Sequence, residues 1–404
     1  MVKVNEREVA WKCLCKIIVE KQFSNIVLKN CVQNTPLVTQ LVYGTLRNYR
    51  LCRYCWSKYI DKMPNNKVSI LLDMAVYELL LLNKPEYATV NEAVTIVAKN
   101  NGGNYRGLVN ALLHKVNKKD MENLPLEVIT SHPDWLVAMW KKQYGEEKCR
   151  EICYADLRDG RVTLRVNTLL TDREGLLKDD LFSAGKVENS LYYQGNVLET
   201  AYFKENKVII QSFSSQLAVE TLKVKDNSEV LDLCAAPGSK SIQIAMDMHN
   251  TGRVVANDIY SFRCKMIEEN AQKYGLNNIE TCCHDGREIF EYYKEHSFDY
   301  VLLDAPCSGL GTLRHKPEIK ITTVGKDIDD LIVLQRQLLQ SAALMLKKGG
   351  FLLYSTCTLN KKENEKQVEQ FLLANSNFRL ISSRTIFPGE YDSDGFYVAK
   401  MQCI

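Results

Sequence analysis

The chain has 404 residues, 46% hydrophobic and 25% charged, with a formal net charge of +3, an ordinary globular balance with room for two or three domains. The longest apolar run, Ile70 to Leu82, is broken by Asp73 and Glu78, which excludes a membrane span. The charged N-terminal MVKVNEREVAWK lacks the apolar core of a secretory signal, and a cytoplasmic protein is expected.

Charge is unevenly placed. Residues 1–130 hold 18 Lys and Arg against 11 Asp and Glu, whereas the remainder holds 34 against 38, so an anionic partner would suit the N-terminal part. That part reads as all-helical. Asn5-x-x-Glu8 is a capping-box pattern ahead of VAWKCLCKIIVEK, whose apolar residues recur at three and four. Helical patterns follow in PLVTQLVYGTLRNYRLCRYCWSKYI, VSILLDMAVYELLLL, TVNEAVTIVAK and YRGLVNALLHKVN, with a turn at Asn100–Asn104 before the last. A bundle of about five or six helices over residues 1–125 is the expected result. Cys52-x-x-Cys55 with Cys13 and Cys15 lacks the second Cys-x-x-Cys or His pair of a zinc site, and no metal is expected. Most of the fourteen cysteines read as reduced, small apolar fillers.

Residues 117–133 form a polar, Pro-containing connection. A helix should open at Pro133-Asp134-Trp135 and run through Lys142, and another should follow Gly145 through Asp156. Strand-like RVTLRVNTLL (161–170), a short helix over 173–184 and VIIQSF (208–213) predict a small α+β subdomain over residues 130–213.

Residues 214–404 alternate strand and helix, as a doubly wound sheet requires. EVLDLC (229–234), RVVAND (253–258), IETCCHD (279–285), FDYVLLD (298–304) and GFLLYST (350–356) are the strands. The helix DDLIVLQRQLLQSAALMLKKG is expected to end in Lys347-Lys348-Gly349, basic residues and a glycine at a helix C-terminus. The fold class is thus multidomain, with an all-α N-terminal part, a small α+β part and a Rossmann-like α/β part.

The first of these strands feeds Asp232-Leu-Cys-Ala-Ala-Pro-Gly238-Ser-Lys240. Small residues there let backbone approach a ligand beside helix N–H groups, but the pattern is neither G-x-G-x-x-G nor a Walker loop. Asp258 ends the second strand, where a carboxylate accepts both ribose hydroxyls of a nucleoside. Asp285 ends the third and could reach an adenine amino group. Three acids closing successive strands fit an adenosine cofactor without a phosphate cradle, and S-adenosylmethionine is the candidate.

Cys307 in DAPCSG and Cys357 in YSTCT each follow an apolar strand. Ligands of open α/β sheets bind at that edge, so two thiols there suggest covalent chemistry. Carbon 5 of a pyrimidine is a poor nucleophile until a thiolate adds to carbon 6, which divides one difficult step into two. Asp304, three residues before Cys307, could contact the ring edge. This chemistry does not rank the two thiols.

These residues resemble the RNA cytosine-5 methyltransferases of the Nop/Sun family, in the subgroup with an N-terminal NusB-like domain that acts on small-subunit ribosomal RNA. The resemblance runs nearly end to end. QLVYGTLRNYR (40–50), YELLLLNKPEYATVNEAV (77–94) and RGLVNALL (106–113) look like the NusB-like part, and LRVNT (164–168) like the small subdomain. DLCAAPGSKS (232–241), DAPCSGLGTLRHKPEIK (304–320), YSTCT (354–358), ENE (363–365) and DGFYVAKM (394–401) match the catalytic motifs.

The resemblance implies S-adenosylmethionine contacts from Cys234, Ala235, Ala236, Pro237, Gly238, Ser239 and Lys240, and from Asp258, Arg263, Asp285 and Asp304. It implies that Cys357 attacks carbon 6 of a cytidine and that Cys307 assists product release. From their place after the Pro-Cys loop, Arg314, His315 and Lys316 could line the RNA path or form a solvated basic loop, and a monomer is expected. Two departures stand out: Gly238-Ser239-Lys240-Ser241 replaces the usual Gly-Gly-Lys-Thr, and Gln211-Ser-Phe-Ser-Ser215 replaces Gln-Asp-Glu-Ala-Ser. The alternatives are a transfer RNA cytosine-5 methyltransferase and a non-catalytic RNA-binding factor.

Overall fold

Asn5 caps the first helix, its side-chain oxygen accepting from the Glu8 amide at 3.1 Å, as the capping pattern requires. The computed structural model describes residues 5–100 and 103–404, so the expected turn at Asn100–Asn104 lies partly outside the described residues. From Asn5 to Asp159 the chain forms helices α1 (Glu6–Val19), α2 (Ser24–Lys29), α3 (Pro36–Arg47), α4 (Tyr49–Ser57), α5 (Asn66–Val76), α6 (Glu86–Lys99), α7 (Arg106–Lys115), α8 (Asp134–Tyr144) and α9 (Glu146–Ala155). They cluster as one unit, which also contains Leu313–Thr323. After α5 the helix widens for a turn, the Leu82 amide reaching back to Tyr77 O at 3.1 Å. Gly44 makes room for the Tyr77 ring: a Cβ there would lie 2.0 Å from it. Buried Asp73 accepts from Trp56 Nε1 at 2.8 Å and pairs with Arg53 at 2.5 Å, which satisfies the charge that burial would otherwise penalise.

Leu313–Thr323 is built into this unit by buried polar groups. Glu318 accepts from the Ser24 amide at 3.1 Å and Ser24 Oγ at 2.9 Å. Lys320 Nζ donates to Arg47 O at 2.8 Å, and Arg47 Nη2 donates to Arg314 O at 3.0 Å. Arg314 is itself buried, with Nη2 donating to Asp159 O at 3.1 Å. It therefore does not line an open path, contrary to expectation; His315 and Lys316 are exposed.

The second unit comprises residues 160–312 and 324–404. Its small antiparallel sheet, in the order β2-β3-β1-β4, contains β1 (Thr163–Val166), β2 (Phe182–Ala184), β3 (Ser190–Tyr193) and β4 (Val208–Ile210). Helix was expected through 173–184, but it stops at Leu176. Phe182 is buried in the small core and Ser183 pairs with Tyr192. Ser212, two residues after β4, caps α10 (Phe213–Leu222), accepting from the Ser215 amide.

The large sheet uses β5 (Glu229–Asp232), α11 (Ser239–Asp247), β6 (Arg253–Asn257), α12 (Ser261–Lys273), β7 (Ile279–Cys282), β8 (Phe298–Asp304), α13 (Gly325–Met345), β9 (Leu346–Thr356), α14 (Glu365–Ala374), β10 (Phe378–Ile386) and β11 (Phe396–Cys403). Its order is β10-β11-β9-β8-β5-β6-β7. The strands from β9 to β7 are parallel and β10–β11 run antiparallel at one edge. The expected all-α, small α+β and Rossmann-like parts are all present. A second element differs: α13 ends at Met345, and Lys347-Lys348-Gly349 lie in β9 instead of closing the helix. Leu346 pairs with Phe298, Lys347 Nζ donates to Asp299 at 2.8 Å and Gly349 turns at φ +84°. Among the described residues no helix is long and apolar enough to cross a membrane.

Candidate active site

Three strand ends build the first half of the site. After β5, Cys234, Ala235, Ala236 and Pro237 form a tight loop whose Ala235 amide donates to Asn257 O at 2.7 Å; the Ala236–Pro237 bond is cis. Gly238 sits at φ +98° as the N-cap of α11, and a Cβ there would come within 3.3 Å of Ile267. Glycine is therefore required at 238, whereas Ser239 is an ordinary first helical residue, so the departure from Gly-Gly costs the loop nothing. Gln211, the residue kept in the other departure, donates to Gln243 at 2.7 Å.

Asp232 is buried and accepts from Ser241 Oγ at 2.6 Å. Its other carboxylate oxygen has no hydrogen-bond partner, and burial pushes its carboxyl up to about 7. Burial also pushes the Cys234 thiol well up, with the surrounding acids adding to the effect. Asn257 ties neighbouring strand ends together. Its amide donates to Leu233 O at 3.0 Å and His284 O at 3.1 Å, and its oxygen accepts from the His284 amide at 3.0 Å.

Asp258 follows β6, nearly buried, and accepts from the Tyr260 amide at 3.1 Å. Arg263 lies 3.8 Å from it, half-exposed, with its guanidinium over the Tyr260 ring. Asp285, after β7, accepts from the Arg287 amide at 2.9 Å and pairs with the Arg287 guanidinium at 2.5 Å. That partner holds its carboxyl below the usual range. A glycine at the helix N-cap, a buried acid with one oxygen unpartnered and a carboxylate at the next strand end suit an adenosine-type cofactor carrying hydroxyls and a cationic centre.

The second half of the site comes from β8 and β9. Their parallel register sets Asp304 opposite Ser355, so Cys307 and Cys357 leave adjacent strand ends. Their sulfurs are 3.3 Å apart. Contact with the Cys357 sulfur, together with burial, holds the Cys307 thiol well above the usual thiol range. Asp304 accepts from Lys240 Nζ at 2.5 Å and from Ser355 Oγ at 2.7 Å. Burial opposes the Lys240 charge, but Asp304 outweighs it and keeps the ammonium above its ordinary value. The structure thus brings Lys240, Asp304, Cys307 and Cys357 together, with Asp232, Asp258 and Asp285 along successive strand ends.

Sequence reading assigned no role to Ser355, Asn257, Gln335 or Glu363. Ser355 and Glu363 carried a signal, lying in the YSTCT and ENE motifs. The buried Glu363 carboxylate accepts from the Ser308 amide at 2.9 Å and Ser308 Oγ at 2.6 Å.

Residues 219–402 match the family described as 16S rRNA methyltransferase RsmB/F. Residues 132–187 match the RsmF/B-like ferredoxin-like domain, and residues 4–118 match the NusB family. Probable ribosomal RNA small subunit methyltransferase B of Bacillus subtilis is 33% identical over 100% of this chain and 99% of its own. Ribosomal RNA small subunit methyltransferase B of Pasteurella multocida is 32% identical over 92% of this chain and 88% of its own. The solved structure of PH0851 shares the fold, with a TM-score of 0.81, 24% identity and 99% of each chain covered. With S-adenosylmethionine as the methyl donor, this chain belongs to the 16S rRNA methyltransferase RsmB/F family.

Proposed function

We propose that this protein methylates carbon 5 of a cytidine in small-subunit ribosomal RNA through a covalent cysteine–cytosine adduct, in the cytoplasm. The observation that carries this reading is the pair of sulfurs 3.3 Å apart on adjacent strand ends beside the Asp304–Lys240 pair. The ribosomal RNA substrate follows the names of the relatives from Bacillus subtilis and Pasteurella multocida, and the basic balance of residues 1–130 suits an RNA backbone.

In this reading Cys357 Sγ adds as a thiolate to carbon 6, and the displaced electron pair makes carbon 5 nucleophilic. The 234–240 loop, Asp258, Asp285 and Arg263 would hold S-adenosylmethionine, whose methyl group would pass to carbon 5 as its sulfonium sulfur becomes a neutral thioether. Asp304, oriented by Lys240 and Ser355, contacts the edge of the base. The carbon 5 proton then passes to water, the carbon 6–sulfur bond breaks and its electrons return to Cys357. Cys307, kept as a thiol by its raised pKa, donates a hydrogen bond to the departing thiolate. The ring face must be open to sulfur, so the cytidine leaves its stack.

Denaturing-gel trapping tests this with small-subunit RNA and S-adenosylmethionine. Cys307→Ala should accumulate a protein–RNA adduct that Cys357→Ala and the double variant lack. An adduct that depends on Cys307 reverses the two roles. RNA binding with no adduct in any variant and no methyl transfer by the wild type overturns the reading.

A further inference from the structure

Two loops carry the thiols; they meet where Ser308 Oγ and Thr358 Oγ1 lie 2.8 Å apart, but their main anchors differ. Cys357 directly follows β9, whose Thr356 pairs with Tyr397 in the sheet. Its carbonyl accepts from the Gly311 amide at 3.0 Å. Asn364 grips both flanks, accepting from Thr356 Oγ1 at 2.5 Å and donating to Thr358 O at 2.9 Å. Cys307 lies three residues beyond the end of β8, past the reach of that ladder. The residues on either side of it are held by two side chains from distant elements. Gln335, in the middle of α13, donates to Pro306 O at 2.9 Å. Glu363 takes both the amide and the hydroxyl of Ser308.

Glu363 is completely buried, and its two oxygens collect five donors. Oε1 accepts from the Ser308 amide at 2.9 Å and Gln335 Nε2 at 3.1 Å. Oε2 accepts from Ser308 Oγ at 2.6 Å, Asn360 Nδ2 at 3.1 Å and Thr358 Oγ1 at 3.4 Å. A buried carboxylate persists only when its lone pairs are filled in this way. A neutral amide would turn its own N–H group toward at least one of these donors. The carboxylate is also close enough to Cys307 to favour its protonated form.

We propose that Glu363 is the positioning residue of Cys307: with Gln335 it fixes the Pro306–Ser308 segment so that the Cys307 sulfur stays against Cys357, and it acts at the release of the adduct more than at its formation. This rests on the cysteine roles proposed above, and two measurements separate the failure of one from the failure of the other.

The first is trapping and turnover in the full chain with small-subunit RNA and S-adenosylmethionine. Glu363→Ala should behave like Cys307→Ala, accumulating adduct while turnover falls by roughly ten-fold or more and the rate of adduct formation stays within about three-fold. Glu363→Gln, which keeps one acceptor, should recover part of the turnover. Glu363→Ala added to Cys307→Ala should cost nothing further. Loss of adduct formation and turnover together would show a merely structural residue and overturn the proposal, as would unchanged turnover.

The second measurement needs no RNA: iodoacetamide modification of Cys307 and Cys357, followed by peptide mass spectrometry. Glu363→Ala should change the Cys307 rate several-fold and leave the Cys357 rate near wild type. Equal changes at both thiols, or at neither, overturn the positioning role. If Cys307→Ala traps no adduct, the proposed function fails first, and the alkylation result alone decides what Glu363 holds.

Discussion

Asp304 sits where two demands meet: its carboxylate holds the Lys240 ammonium and accepts from Ser355, and the proposed reaction needs it at the base. Asp304→Asn would leave Lys240 charged and inward-facing without its partner, a change that costs several kcal/mol in buried pairs. Methyl transfer measured with radiolabelled S-adenosylmethionine should fall by roughly a hundred-fold or more, the equivalent of about 3 kcal/mol. Asp232 gives a different signature. Its carboxyl is raised from 3.8 to about 7 by burial, so the folded state favours its protonated form. The stability this contributes is fully present below about 4 and is lost as pH rises through about 7. Urea midpoints should therefore fall between pH 5 and pH 8 in the wild type, and Asp232→Asn should flatten that slope; an unchanged slope would assign the pH dependence to other groups. Asp232, Asp258, Asp285 and the two thiols were legible in the sequence because each terminates an apolar run. The roles of Asn257 and Glu363 were not, because Asn257 reaches Leu233 and His284, 24 and 27 residues away, and Glu363 reaches Ser308, 55 residues away.

At the scale of elements, apolar runs located the parallel strands, while turns and edges followed tertiary demands. Lys347-Lys348-Gly349 looks like a helix end, yet the Asp299 carboxylate draws Lys347 into the strand. Gly350 then passes so close to Asp299 O that a Cβ would lie 2.7 Å from it. Nor does the β10–β11 hairpin show period-two alternation. β10 is exposed over most of its length and β11 is buried on nearly every residue, so neither has the one-sided pattern that marks a half-buried strand. This hairpin bears on the site through two glycines. The Gly395 amide donates to Gly311 O at 2.8 Å, and a Cβ on Gly311 would lie 2.1 Å from Gly395 O and 2.9 Å from Cys357 O. Backbone cannot yield there as a flexible side chain could. Gly311→Ala should lower stability by about 2 kcal/mol in chemical denaturation and displace the Cys357 carbonyl, so adduct formation should fall with it. Full adduct formation at reduced stability would uncouple this glycine contact from the nucleophile.

At the scale of the whole molecule, chain order and spatial grouping part company at Leu313–Thr323. Those residues belong to the helical unit although Thr312 and Val324, on either side of them, belong to the other. A linear reading places the DAPCSGLGTLRHKPEIK motif in one catalytic domain, because nothing local in LRHKPEIK reveals that Glu318 and Lys320 are buried. Burial of those charges makes sense only with their partners: the Ser24 amide and hydroxyl for Glu318, and the Arg47 carbonyl for Lys320. Ser24 is the first residue of α2, a helix of six residues, too short to persist without tertiary support. Glu318→Ala removes the acceptor for two of its donors and leaves the Ser24 amide unsatisfied in a buried position, which costs about 1–3 kcal/mol. Hydrogen exchange followed by mass spectrometry should then show faster exchange across α2, with α11 in the other unit unchanged. Equal acceleration in both would mean that the two units open as one cooperative body; protection retained in α2 would mean that other contacts, not Glu318, hold it.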